Sequence, residues 1–97
     1  MRELLVKYRA NNKVEEITDF IVTTYKMPLT AINYAQRLID FMLDLQKNPF
    51  AYAICRDYIL SKNNLRCATF EKRWIIVYKV TEKHIIVEDI ILGSTIV

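Results

Sequence analysis

"RWIIVYKVTEKHIIVEDIIL", residues 73–92, decides how this chain folds. Two apolar runs, 73–80 and 84–92, are short and rich in β-branched residues, so both read as strands. "TEKH" (81–84) joins them as a tight hairpin. Alternation splits the first run into two faces: Trp74, Ile76, Tyr78 and Val80 on one, Arg73, Ile75, Val77 and Lys79 on the other. Cations bracket the second set, which is therefore assigned to the open face, and the Trp74 set to a helix-packed core. In the run before it (65–70), Arg66, Ala68 and Phe70 share a parity. The open face is expected to carry Arg66, Arg73 and Lys79 around an apolar centre of Ile75 and Val77. Cations framing aliphatics resemble a protein-binding groove more than a catalytic one, and a plain solvated sheet face is the alternative.

Upstream, "ELLVKY" alternates with Leu4, Val6 and Tyr8 on one side and reads as a short edge strand. "NNKVEE" offers Asn12 as an N-cap with Glu15 three residues on, a capping-box spacing. Val14, Ile17, Ile21 and Tyr25 then predict a first amphipathic helix to about residue 26. Pro28 suits the first turn of a second helix, whose stripe is Ala31, Ala35, Leu38, Met42 and Leu45, widened by Tyr34, Ile39 and Phe41. Pro49 stops it. Residues 50–64 show no clear period and read as a loop that packs its aromatics and contains a helical turn. The order β-α-α-β-β-β predicts an α+β fold, with two antiparallel helices on one face of a mainly antiparallel sheet.

With 97 residues, 53% of them hydrophobic, and three Gly and Pro in all, the chain reads as one small domain rather than a disordered or loop-rich scaffold. Its net charge of +3 is spread evenly, because residues 1–47, 48–64 and 65–97 each carry one excess cation. No basic stripe marks a nucleic-acid surface. Cys55 and Cys67 match no zinc site and do not make a disulfide framework, so reduced thiols are expected. The N-terminal "MRELLVKYRANN" lacks the apolar run of a signal peptide and no stretch reaches membrane-spanning length, so a cytoplasmic location without membrane association is expected.

Chemical candidates are few. His84, the lone histidine, reads as a solvated turn residue, and no Cys/His/carboxylate cluster has ligand spacing, so no metal and no cofactor is expected. Cys67 has no histidine to activate it. Gly93 is the only glycine, which excludes a Gly-rich phosphate loop. Asp89 lies mid-strand among isoleucines, where a carboxylate is costly unless paired or wet. Either it and Glu88 face opposite sides near a sheet edge, or one of them pairs with a cation such as Arg73.

"TAINYAQRLIDFMLDLQKNPFAYAICRDYIL" followed by "LRCATFEKRWIIVYKVTEKHIIVEDIILG" resembles the RelE/ParE superfamily of bacterial type II toxin–antitoxin toxins. The likeness lies in a second helix opening "AIN", a loop carrying "RDY.L", a strand entered through an arginine, and "WIIVYKV" leading to a closing strand that ends "ILG". It spans nearly the whole chain, so residues 1–97 are expected to form a single toxin domain of this kind. The resemblance implies a growth-inhibiting toxin neutralised by a small antitoxin that wraps a helix or extended segment around it. Its superfamily divides between ribosome-dependent mRNA endonucleases and inhibitors of DNA gyrase. Nucleases of the group use several cations on the central and closing strands and an acid/base near the C-terminus. This chain keeps Arg66 alone among them, with Ala68, Ile75 and Thr95 at the other equivalent positions, and ends at Val97 before the expected tyrosine.

The reading is therefore a ParE-like toxin that binds its target, nominally DNA gyrase, rather than cutting RNA. The alternatives are a ribosome-dependent mRNA endonuclease with a displaced site (Arg66, Lys72, Arg73, Tyr78), a degenerate toxin that only binds antitoxin, and an unrelated α+β interaction module. Expected antitoxin- or target-binding residues are Arg66, Arg73, Ile75, Val77 and Lys79.

Overall fold

The computed structural model describes residues 1–93. The order is β1 (Glu3–Val6), α1 (Tyr8–Tyr25), α2 (Pro28–Lys47), α3 (Tyr58–Lys62), β2 (Arg66–Phe70), β3 (Trp74–Val80) and β4 (His84–Leu92). This is the β-α-α-β-β-β arrangement expected, with one short extra helix in the 50–64 loop. The sheet runs β1-β4-β3-β2; β2, β3 and β4 pair antiparallel, while edge strand β1 lies parallel to β4. No helix among the described residues is long and apolar enough to cross a membrane.

The first helix starts earlier than the capping-box spacing predicts. Lys7, not Asn12, is the N-cap and has no side-chain cap bond. Its N–H donates to the Val87 carbonyl at 3.0 Å, closing the β1–β4 ladder as the chain turns into α1. Ala10 is fully buried and extends the stripe Val14, Ile17, Ile21 backward by one turn. Tyr8 and Tyr25, expected on apolar faces, are exposed, as is Ile39 on the outer side of α2. Lys26 ends α1 in the left-handed region at φ 53°, and Pro28 opens α2 as expected.

Trp74, Ile76, Tyr78 and Val80 face the helices, as alternation predicts. There Ile76 and Tyr78 join Leu38, Met42, Leu45, Ala68, Phe70, Ile85, Val87 and Ile90 in the main core. Phe70 is clasped by Tyr34 and Phe41, with ring centroids 5.7 and 5.3 Å away. On β4, Ile85 and Val87 differ in parity from Ile90, so a straight strand could not bury all three. A bulge resolves this: Val77 pairs with Asp89 but Tyr78 with Val87, leaving Glu88 as the extra residue. The same bulge turns Glu88 and Asp89 to one side of a central strand, where Glu88 pairs with Lys7 at 2.8 Å and Asp89 with Arg9 at 3.8 Å. Neither sits at a sheet edge or pairs with Arg73. Asp89 also accepts a hydrogen bond from the Ile90 N–H at 2.8 Å.

Tyr78 is fully buried, and its hydroxyl donates to the Pro49 carbonyl at 2.8 Å. Burial pushes this hydroxyl above its ordinary pKa of 10.0, against the opposing pull of Arg66. The folded pKa exceeds the unfolded one, so the contribution is whole below about pH 10 and is lost as pH rises through the folded pKa. Tyr78→Phe is expected to cost about 1 kcal/mol at neutral pH. It should also flatten the alkaline fall in stability, as read by urea unfolding from pH 8 to 11.

Candidate functional site

The two sides of β3 meet different covers. Opposite the helices, Ile75 and Val77 are not open as expected: they are 9% and 2% exposed. Cys55 completes a second small core there, with Leu60, Leu65, Cys67 and Ile91 packed against it. The chain from 53 to 65 folds back over this face. Ile54 bridges Arg66, Cys55 N–H donates to the Leu65 carbonyl at 2.9 Å, and Cys67 N–H to the Ala53 carbonyl at 3.3 Å. Asp57 caps α3 within this cover by accepting from the N–H groups of Ile59 and Leu60. The bridge brings Cys55 and Cys67 together diagonally across it, at a Cα separation of 5.0 Å, and they are joined as a disulfide. Reduced thiols were expected. The pairing escapes sequence reading because an aperiodic loop gives no register.

Arg66 is also displaced from its expected place. It shares its parity with Ala68 and Phe70, and the register Phe70↔Trp74, Arg66↔Tyr78 sets all three on the helix side. Its guanidinium donates to the Tyr52 carbonyl at 2.7 Å and lies 4.9 Å from the Phe50 ring centroid. Lys79 remains exposed, paired across the ladder with Ile86. Arg73 precedes β3 at the opposite end of the β2–β3 ladder from Arg66.

Around Arg73 the surface changes character. A groove of about 380 Å³ opens between α1 and the end of the sheet. Ile17, Phe20, Ile21 and Tyr25 form its α1 wall, and Tyr34, Trp74 and Leu92 its floor and far wall. Phe20 is 53% exposed and stands edge-on to Tyr25, with ring centroids 6.2 Å apart. Trp74, expected as a core residue, is half-buried here; it packs on the main core and shows its remaining surface to the groove. The Arg73 guanidinium lies 6.0 Å from the Trp74 ring. At the rim Lys13 pairs with Glu16 at 3.3 Å. Gly93 N–H donates to the Arg73 carbonyl at 2.7 Å, and a Cβ there would meet that oxygen at 3.2 Å, so a glycine lets β4 close on Arg73. Burial raises the Tyr34 hydroxyl pKa, reinforced by Glu71 and opposed by Trp74, Arg73 and Arg37. The groove is apolar inside and cationic at one lip.

Residues 4–96 match the family described as the ParE toxin of type II toxin-antitoxin system, parDE. The chain belongs to the ParE toxin family. Among solved structures, a chain of the chromosomal ParDE TA system from P. aeruginosa is similar, with a TM-score of 0.77 and 21% identity over 93% of this chain and 94% of that one. At that identity the likeness speaks for the fold. Among curated proteins none matches.

In this ParE-family chain the four nuclease candidates do not converge. Tyr78 is sealed in the core with its hydroxyl donated, and Arg66 is spent on Tyr52 and Phe50. Lys72 and Arg73 lie in the turn at the other end of the ladder. Thr95 lies outside the described residues. His84, expected as a solvated turn residue, instead opens β4 opposite Glu3 and is partly buried: its N–H donates to Thr81 Oγ1 at 3.0 Å and its ring approaches Glu3 at 3.7 Å.

The sequence reading reached Arg73 and Trp74 but missed Phe20, Tyr25 and Leu92. Phe20 lies one residue off the apolar stripe of α1, an aromatic on the polar flank of "TDFIV", and that was the signal available. Glu71 and Lys72 both hold positive φ, 48° and 59°, in the three-residue turn from β2 to β3, whose Arg73 N–H donates to the Phe70 carbonyl at 3.1 Å. Side chains with a Cβ are strained there. Lys72→Gly is expected to raise stability by about 1 kcal/mol in urea unfolding.

Proposed function

We propose that this chain is the toxin of a type II toxin–antitoxin pair, acting in the cytoplasm by binding DNA gyrase and held in check by an antitoxin polypeptide seated in the groove between α1 and the sheet. One observation carries the reading: Phe20, Tyr25 and Leu92 leave large apolar surface in a concave site whose lip is Arg73. Such a site suits an amphipathic segment that buries aliphatics against the aromatics and sets a carboxylate beside the guanidinium. Separation of the basic candidates supports binding over RNA cleavage, because phosphoryl chemistry needs its cations preorganised about one phosphate, each worth ~10²–10³ in rate. Arg73 therefore serves recognition in this reading, and Lys79 stays available as an exposed cation of β3. Arg66, Ile75 and Val77 contribute through the fold.

Inducing the isolated gene tests this directly. Growth arrest with DNA double-strand breaks and an SOS response is expected, and co-expression of the neighbouring antitoxin gene should relieve it. Ribosome-dependent mRNA cleavage without DNA breaks would overturn the gyrase reading. Absence of arrest would mean a copy that only binds antitoxin.

A further inference from the structure

We propose that Cys55 and Cys67 form a thiol–disulfide switch that latches the 53–65 cover over Ile75 and Val77 and releases it when a dithiol reductant opens the bond. This stands apart from the groove, on the other side of the sheet. Three features of the cover point to it. Its helix α3 has only five residues, too few to persist without tertiary support. Its outward side chains, Tyr58 and Ile59, are exposed, so its hold on the sheet is the contact of Leu60 and Leu65 with the small core. The disulfide closes the loop across a separation of 12 residues and is the covalent cross-link that ties the start of the cover to β2, apart from the chain running on from Leu65 into Arg66.

Cys67 is the half-buried partner and Cys55 the sealed one, at 3% exposure, so an incoming thiolate meets the Cys67 sulfur. Attack there breaks the bond, forms a mixed disulfide at Cys67, and releases Cys55 as a thiolate that takes up a proton. The second thiol of the reductant then closes its own ring and frees Cys67. Two protein thiols and one cyclic disulfide result, a two-electron exchange with both protons supplied by the dithiol. A small disulfide reverses it. What remains of the attachment is the contact of Leu60 and Leu65 with the small core and the pair of backbone bonds at the base, Cys55 to Leu65 and Cys67 to Ala53. The closed cover hides Ile75 and Val77, and the opened one presents them beside Lys79.

Hydrogen exchange of the whole chain, oxidised and then reduced with dithiothreitol, tests this. Amides from 57 to 65 should exchange about a hundredfold faster after reduction, while those of α1 and α2 change by less than about threefold. Oxidised glutathione should restore the slow rates. The double variant Cys55→Ala, Cys67→Ala should exchange at the reduced rate with or without reductant. Equal protection of 57–65 in both states would overturn the proposal. So would uniform acceleration across helices and sheet, which would make the bond a global staple, or a count of two free thiols in the chain before reduction.

Discussion

Val77→Asp is expected to remove a large share of the fold's stability, although alternation alone places Val77 on an open face. The side chain is 2% exposed and packs with Cys55 and Ile75 under the 53–65 cover. Losing it forfeits about 1.5–3 kcal/mol of apolar burial. The new carboxyl would also stand beside Asp89, its ladder partner, so a buried acid would be set next to a like group. A total of about 4–5 kcal/mol is expected, against the ~5–15 kcal/mol that holds a domain together. Lys79→Asp, two residues along on the same face but exposed, should shift stability by no more than about 0.5 kcal/mol. Urea midpoints followed by far-UV circular dichroism compare the two. Equal midpoints for Val77→Asp and the parent would show that residues 53–65 do not cover this face.

Phe20→Asp is expected to have the largest effect on recognition with little on folding. Phe20 already shows half its surface to water, so replacing it should cost less than about 1 kcal/mol of stability. In the complex it would lose an aromatic anchor and set a carboxylate where the proposed antitoxin buries aliphatics. Central aromatic anchors are worth about 2–4 kcal/mol, so the dissociation constant for the proposed antitoxin should rise about 30-fold to 1000-fold. Titration calorimetry with purified partners gives the number. Affinity within about threefold of the parent would place the antitoxin elsewhere. Because Phe20, Tyr25 and Leu92 line the groove together, pairs of substitutions there should fall short of additive.

Much of this fold is written in short-range pattern. Period two in "WIIVYKV" assigns Trp74, Ile76, Tyr78 and Val80 to the helix side, and helical spacing of Ala31, Leu38, Met42 and Leu45 finds the buried stripe of α2. Pro28 and Pro49 mark where α2 can begin and must have ended. The α+β order follows from these elements, whereas the resemblance to the RelE/ParE superfamily rests on the stretches from "AIN" to "ILG". Arg66 was misplaced for a different reason: its charge suggested open surface, while its parity with Ala68 and Phe70 already tied it to the helix side.

What periodicity fixes is which side of an element is apolar. It cannot say what covers that side when both faces of a strand are apolar, as they are in β3. There the answer came from contacts far apart in sequence: the 53–65 segment folding back, Cys55 meeting Cys67, and Lys7 and Arg9 reaching the acids of β4. The bulge at Glu88 belongs with them, since only pairing against β3 decides which residue is left over. The groove is likewise tertiary, because Phe20, Trp74 and Leu92 come from three elements whose meeting no local pattern records. Local sequence set the faces through backbone geometry, and chain closure, which balances loop entropy against burial, chose their covers.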